Sequence, residues 1–209
     1  MGSPEVSSYL SKTDGLKLIN ASEKGDIDTV KLLLKKGVYI HSQDKNGRCA
    51  VVAAAYNNRL EVVELLIAAG ADVNMKDNTL QSAYLISTSE GYTELLRKTL
   101  KAGADVHCTD SYNGTGLIRA ADRGHVEVIR ELVATDIRVN HINKLGWTAL
   151  LEAIILGDGG ERHAEVVRLL INAGADVNLS DKDGITPLTH ARSRRFAGII
   201  SMLEKAGAK

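Results

Sequence analysis

The sequence contains few aromatic residues, little cysteine and proline, and no excess of either charge. Its 209 residues include one Trp, one Phe and six Tyr, and 26 basic side chains balance 26 acidic ones. A net charge of zero argues against a general binder of nucleic acid or membranes, since such proteins usually carry a basic excess. Two cysteines, Cys49 and Cys108, form no disulfide framework, and we expect reduced thiols in a cytoplasmic protein.

The sequence also lacks long apolar runs. No stretch reaches the roughly 18 apolar residues of a membrane span, and the start, Met1-Gly2-Ser3-Pro4-Glu5, has no basic head followed by an apolar run, so a secretion signal is not expected. Apolar residues nevertheless make up 44% of the chain, which excludes wholesale disorder. Because rings are scarce, small and aliphatic side chains are expected to fill the core.

An internal repeat organises the chain. Gly-Ala-Asp-Val-Asn occurs at Gly70–Asn74 and again at Gly174–Asn178. Close or truncated variants begin at Gly37, Gly103, Asp136 and Gly207, so that successive spacings are 33, 33, 33, 38 and 33 residues. A fixed period of this length indicates supersecondary units that bury their apolar faces by stacking. The fifth repeat carries five extra residues.

Each period predicts a turn, a helix, a tight turn and a second helix. One column holds Asx residues suited to starting a turn, namely Asp44, Asp77, Asp110, Asn143 and Asp181. A later column holds residues suited to a helix N-cap, namely Cys49, Ser82, Thr115, Thr148 and Thr186. Helices are expected over 50–57 and 60–69 of the second repeat. Leu80, in a column that holds Gly47 and Gly146, predicts an irregular turn in the third repeat.

These columns resemble the ankyrin repeat family. Its Thr-Pro-Leu-His-x-Ala motif matches best at Thr186–Ala191 and partly at Thr148–Ala153, and the fifth repeat is also similar to bacterial single-domain ankyrin proteins. The resemblance implies an all-α solenoid of stacked helix-turn-helix units with turn fingers, acting as a non-catalytic scaffold for protein–protein recognition. The motif's histidine is missing from its column, so other residues or apolar contacts are expected to tie neighbouring turns together.

The resemblance also sets the expected boundaries. An N-terminal extension covers 1–13, and a single ankyrin-repeat domain covers 14–209. Its repeats are approximately 14–46, 47–79, 80–112, 113–145, 146–183 with an insertion at 157–161, and 184–209.

In the family, the turn tips and the exposed side of each first helix form a concave binding face. The residues predicted to bind a partner there are Arg48, Tyr56, Tyr112, Arg123, Leu145, Trp147, Ile155 and Leu156. The fifth repeat stands out because four of these columns hold apolar residues, including the one Trp. Exposed apolar clusters and Trp or Tyr anchors are typical of interaction surfaces. The alternative is that the loop 157–161 folds over these residues and buries them.

A second interpretation places a small-molecule or metal-dependent enzymatic site at the fifth-repeat loop, with Asp158, Glu161, His163 and Trp147. A carboxylate and an imidazole there could share a proton, but His163 lies in the same column as His125, which favours a structural role.

Metal chelation by His107, Cys108 and His141 is not expected, because repeats lie about 10 Å apart. We therefore expect no enzyme activity, no metal and no cofactor. The expected partner is an unidentified protein rather than nucleic acid or membrane, bound by a monomer in the cytoplasm.

Overall fold

The computed structural model describes residues 4–209, with side chains described from Thr13 onward. This part of the chain forms helices with no strand among them. The helices are α1 Pro4–Lys24, α2 Ile27–Lys35, α3 Ala50–Tyr56, α4 Leu60–Ala68, α5 Ala83–Glu90, α6 Thr93–Lys101, α7 Gly116–Asp122, α8 Val126–Val133, α9 Ala149–Ile155, α10 Glu161–Asn172, α11 Pro187–Ser193 and α12 Ala197–Lys205. The expected all-α class is confirmed, and α1 continues across the predicted boundary at residue 14.

Contacts divide the chain into two units. Unit 1 runs to Ser87 and includes Glu94–Asp105, and unit 2 comprises Thr88–Thr93 and Val106–Lys209. In unit 1, α1 packs on α3 and α2 packs on α4. In unit 2, the first helices α7, α9 and α11 pack in sequence, and the second helices α8, α10 and α12 form a parallel series behind them. Each unit thus stacks helix pairs, while a single domain over 14–209 stays a prediction.

The core of both units consists of small and aliphatic side chains, as the composition predicts. In unit 1, α3 buries Ala50 through Ala55 completely or nearly so. In unit 2, α7 buries Ala120 and Ala121, and α9 buries Ala149 and Ala153. Alanine at these positions lets neighbouring helices approach closely, because interaxial distances of about 8–10 Å leave little room between them.

The predicted N-caps are confirmed at the hydroxyl positions. The side chains of Thr115, Thr148 and Thr186 accept the backbone N–H of the residue three positions later, at 3.4, 3.2 and 3.3 Å. Ser82 accepts the N–H of Leu85 at 3.2 Å in the same way. At Cys49 the expected side-chain cap bond is not formed, because a thiol is a weak acceptor.

Hydrogen bonds tie the turn fingers of successive repeats together in place of the missing motif histidine. In unit 2, the Lys144 N–H donates to the Tyr112 carbonyl at 2.9 Å, and His141 Nε2 lies 2.8 Å from the Asn113 carbonyl. In unit 1, the Asn78 N–H donates to the Asn46 carbonyl at 2.9 Å. Other residues of the turns therefore link neighbouring repeats by hydrogen bonds, which is one of the two expected possibilities, the other being apolar contacts.

The third-repeat turn is regular, so the expectation of an irregular turn at Leu80 is wrong. Leu80 has φ +62°, close to the +74° of Gly47 in the same column. Both turns close with the same backbone bonds: the Leu80 N–H donates to Asp77 at 2.9 Å, and the Gly47 N–H donates to Asp44 at 3.0 Å. The turn keeps its form, and the leucine is held in a left-handed conformation that costs about 1–2 kcal/mol.

Replacing Leu80 with Gly is expected to raise the free energy of unfolding by about 1 kcal/mol, because glycine adopts this conformation without steric cost. Leu80 is 45% exposed, so little burial is lost. Urea denaturation followed by circular dichroism measures the change. The matched control is Gly47→Ala, which puts a Cβ 2.3 Å from Asn78 Oδ1 at the same turn position and should destabilise. A Leu80→Gly protein no more stable than wild type would contradict the assignment of strain.

Candidate partner-binding groove

Two of the predicted binding residues lie in unit 1, where both have partners within the chain. Arg48 is half-buried, and its guanidinium bonds Asp44 Oδ2 at 2.9 Å and Glu23 Oε1 at 2.9 Å. The Tyr56 hydroxyl donates to Asp77 Oδ2 at 2.6 Å. These side chains hold the turns of unit 1 in place.

The other six lie in unit 2, where one of them is hydrogen-bonded through its side chain and two are half-buried. Arg123 Nη1 donates to the Ser89 carbonyl and to Glu90 Oε1, both at 2.8 Å. Trp147 and Ile155 are half-buried. The Trp147 backbone completes the fifth-repeat turn, since its N–H donates to Asn143 Oδ1 at 3.0 Å.

The remaining three surround a groove of about 170 Å³. Tyr112 is 61% exposed, Leu145 48% and Leu156 51%. Tyr112 and Leu145 lie on turn fingers, and Leu156 caps the C-terminus of α9. The groove is lined by Asp110, Tyr112, Gly114, Ile118, Arg119, Asp122, Asn143, Leu145, Glu152 and Leu156. It thus combines exposed apolar walls with several ionisable side chains.

Glu152 belongs to α9 and is only 5% exposed, yet it lines this groove. Its Oε1 accepts a hydrogen bond of 2.6 Å from Asn143 Nδ2. The Asn143 Oδ1 meanwhile accepts the Leu145 and Trp147 N–H groups, at 2.9 and 3.0 Å. The Asn143 side chain therefore accepts the turn N–H groups with its carbonyl oxygen and donates to the Glu152 carboxylate with its amide nitrogen.

Burial raises the pKa of the Glu152 carboxyl to about 7, and the negative charge of Asp122 adds to the increase. The Asn143 hydrogen bond and the positive charge of Arg119 act in the opposite direction. Arg119 also forms an ion pair with Asp110, with Nε 3.5 Å from Oδ2, so its positive charge is divided between Asp110 and Glu152. Near neutral pH the base of the groove therefore holds a carboxyl group that changes its charge readily.

The inserted loop packs away from this groove. Gly159 lies directly against the Phe196 ring, where an added Cβ would be 2.2 Å from Cδ1. Arg194 donates to the Gly157 carbonyl at 2.8 Å, and its guanidinium lies 4.9 Å from the Phe196 ring centroid. Leu145 and Leu156 thus stay exposed and are not buried by the loop, whereas Trp147 and Ile155 are half-buried. Part of the insertion extends α10, which has twelve residues compared with eight in α8.

The residues of the alternative enzymatic site are used structurally. His163 Nδ1 lies 2.9 Å from Asp158 Oδ1, and Nε2 lies 3.1 Å from the Asp122 carbonyl. His125 makes the same kind of contact to the Ser89 carbonyl, at 3.0 Å. The Gly160 N–H, and then the imidazole of His163, lower the pKa of Asp158. Glu161 is exposed in the first turn of α10.

Of the histidines and cysteine weighed as metal ligands, His107 lies 3.5 Å from Asp136, and His141 bonds the Asn113 carbonyl. Cys108 is half-buried and forms no disulfide. Across the side chains described from Thr13 onward, no three His, Cys, Asp or Glu residues gather in a group able to hold a metal ion. Residues 4–209 include no helix long and apolar enough to cross a membrane.

Comparison with known families fits this stack of helix pairs. The family model described as ankyrin repeats (3 copies) matches residues 11–77 and 84–181, and a second model, ankyrin repeats (many copies), matches 160–204. The chain belongs to the ankyrin repeat family. Ankyrin repeats are generally protein-interaction scaffolds, so the coarse functional class predicted from the motif is supported.

Individual relatives agree with the family. Over 74 residues, 35% of this chain, the sequence is 51% identical to a protein of Escherichia coli (strain K12) named as the ankyrin repeat protein YahD, and the match covers 37% of that protein. An ankyrin repeat domain from Acinetobacter baumannii AYE is 49% identical with a TM-score of 0.90, over 92% of this chain and 98% of that one. The ankyrin repeat protein EF0377 is 31% identical with a TM-score of 0.86, over 92% and 97% of the two chains.

The prediction from sequence missed Glu152 as a groove residue. It lies in the variable position of the ankyrin motif, nine residues after the turn Asx of its repeat. Arg119 and His190 occupy the same position after Asp110 and Asp181, and His190 Nε2 lies 2.7 Å from Asp181 Oδ2. The nine-residue spacing between the turn Asx and a residue with an ionisable side chain was the available signal.

Proposed function

We propose that this ankyrin repeat protein is a non-catalytic scaffold that binds a partner protein through the groove face of unit 2. In this proposal the groove face is the concave face that the resemblance implies. In this proposal the chain acts as a monomer in the cytoplasm, and Trp147 and Ile155 support the exposed side chains from behind. The loop 157–161 braces the sixth repeat.

The observation that supports the proposal is the cluster of Tyr112, Leu145 and Leu156. Together they expose apolar surface around a groove with an ionisable base. Exposed apolar surface with a polar or charged centre is typical of interaction sites. Pockets for drug-sized ligands usually measure about 300–1,000 Å³, so a groove of about 170 Å³ fits single side chains of a partner better than a cofactor.

Replacing Leu156 with Ser is expected to reduce partner capture at least about tenfold, because a buried anchor in an interface contributes 1–2 kcal/mol or more. The matched control is Leu32→Ser on α2, since Leu32 is 53% exposed and Leu156 is 51% exposed. Quantitative mass spectrometry of proteins captured from the source cells measures both variants beside wild type. Equal recovery with Leu156→Ser and wild type would overturn the proposal, as would equal losses in the two variants.

A further inference from the structure

The groove of unit 2 carries more negative than positive charge. Its ionisable side chains are Asp110, Asp122, Glu152 and Arg119. Arg119 pairs with Asp110 at 3.5 Å, which leaves two carboxyl groups without a cation. Asp122 on α7 is half-buried and forms no ion pair in the described part of the chain.

Glu152 differs from the residues at the same position of the neighbouring repeats. Arg119 meets Asp110 and His190 meets Asp181, so each of these turn carboxylates has a basic partner nine residues later. The corresponding pair of the fifth repeat contains no basic side chain. Asn143, which donates a hydrogen bond to Glu152, is neutral, and Glu152 itself is acidic. Glu152 is only 5% exposed and lines the groove, and among side chains described from Thr13 onward none donates to its Oε2.

The walls of the groove fit the stem of a long basic side chain. Ile118, Leu145 and Leu156 present hydrocarbon, and Tyr112 presents an exposed ring beside the carboxyl groups. Lys and Arg bury their methylene stems along apolar surfaces while the charged end reaches a polar group, and aromatic faces attract cations. A groove of about 170 Å³ has room for one such side chain.

We infer that this groove binds a lysine or arginine side chain of the partner protein, with its cation at Glu152 and Asp122 and its apolar neighbours against Tyr112, Leu145 and Leu156. The inference rests on the proposed function and specifies the chemistry of the partner: a basic residue flanked by apolar ones. The binding cation supplies the charge partner that the fifth repeat lacks.

Binding of a cation is expected to release a proton near neutral pH. Because burial and the Asp122 charge raise the pKa of Glu152 to about 7, much of the carboxyl is protonated at pH 6 and most is ionised at pH 8. Ionisation of Glu152 adds its negative charge to that of Asp122, so affinity for the cation should be up to about tenfold weaker at pH 6 than at pH 8.

Other ionisable groups surround Glu152. Asp122 and Arg119 face it from α7, and Asp110 faces it from the fourth-repeat turn. On the helices that pack against α9, His190 of α11 pairs with Asp181 and His163 of α10 pairs with Asp158. These histidines remain in a Glu152→Gln protein, so loss of the pH dependence in that variant assigns it to Glu152.

The test uses a display library of random twelve-residue peptides, selected on the full chain at pH 8. Peptides that bind wild type but not the Leu156→Ser protein are the groove binders. They are expected to carry a Lys or Arg next to an apolar residue. Replacing that residue by norleucine, or Glu152 by Gln, should weaken a selected peptide at least about tenfold. Asp183→Asn, which removes an exposed carboxylate from the sixth-repeat turn of the same unit, is the matched control and should change little.

Three results separate the inference from the proposed function. Groove binders that depend on a basic residue and on Glu152 support both. Groove binders without a basic residue, or with equal affinity for wild type and Glu152→Gln, overturn the cation site and leave partner binding intact. Peptides that bind wild type and Leu156→Ser equally, with no groove binders among them, count against both.

Discussion

Deleting residues 184–209 is expected to lower the free energy of unfolding of unit 2 by about 6 kcal/mol. The deleted segment contains α11 and α12, which pack on α9 and α10. Leu188, Ile199 and Leu203 of this segment are 2%, 0% and 0% exposed. Burial of each aliphatic side chain contributes about 1.5–3 kcal/mol, and a domain's total stability is commonly about 5–15 kcal/mol.

The reason for so large an effect is that a repeat is stabilised mainly by its neighbours. Without α11 and α12, the apolar faces of α9 and α10 that they cover meet water. The inserted loop also loses Phe196, against which Gly159 packs. A terminal repeat therefore stabilises the preceding repeat as well as itself.

Trp147 gives a selective measurement of this effect. It is the one Trp of the chain and belongs to unit 2, so its fluorescence reports that unit during urea denaturation while circular dichroism reports all helices. The control is Ser201→Ala, at an exposed position of α12, which should change the transition little. A fluorescence transition of the 1–183 chain at the wild-type urea concentration would contradict the nearest-neighbour explanation.

The second large effect is expected for Asn143→Asp, which should destabilise the protein by about 3 kcal/mol at pH 8. The substitution keeps the oxygen that accepts the turn N–H groups, but it replaces the amide that donates to Glu152 by a second carboxylate oxygen. That atom would lie about 2.6 Å from Glu152 Oε1. Two buried like charges at such a distance cannot both ionise without a large cost, and removal of a hydrogen-bond donor to a buried charge adds to it.

The cost of Asn143→Asp should depend on pH. Glu152 already has a pKa of about 7 in the folded protein, compared with an ordinary value of 4.5. A carboxyl with a raised folded pKa contributes most stability when protonated, below its unfolded pKa, and loses that contribution as pH rises through the folded pKa. At pH 5 one proton shared by the new pair relieves most of the repulsion, so the penalty should be smaller than at pH 8.

Urea denaturation at pH 5 and pH 8 measures both effects. Glu152→Arg in the Asn143→Asp background should restore most of the loss, because it reproduces the Asp110 and Arg119 pair of the fourth repeat. Glu152→Gln alone should stabilise the protein at pH 8 and change little at pH 5. Equal penalties for Asn143→Asp at both pH values would show that charge repulsion with Glu152 is not the cause.

The repeat pattern predicts most of the local structure. The period and the Asx and hydroxyl columns place the turns and helix starts, and the predicted helix at 60–69 is observed as Leu60–Ala68. Leu80 shows the limit of this reasoning: the hydrogen bonds of the turn maintain its form, so an unfavourable residue becomes strained there without altering the turn.

The binding site is less predictable than the fold. Arg48, Tyr56 and Arg123 look like free surface groups in the sequence, but each bonds a residue in another turn or helix, and a single repeat gives no sign of these partners. Glu152 looks like an isolated charge within an apolar helix. Its place at the base of a groove depends on Asn143 of a turn and on Asp122 and Arg119 of α7, two segments that lie apart in the sequence.

The Asn143 and Glu152 pair also limits the order in which this site can change by mutation. A repeat with Asp at the turn and a basic residue nine positions later is strongly destabilised if it acquires Glu first, because the intermediate places two buried carboxylates together. Changing the turn to Asn first passes through a protein in which the basic residue merely loses its partner. The Asn143 and Glu152 pair is therefore reached more easily when the turn residue mutates first. The reverse change is easier when the helix residue mutates first.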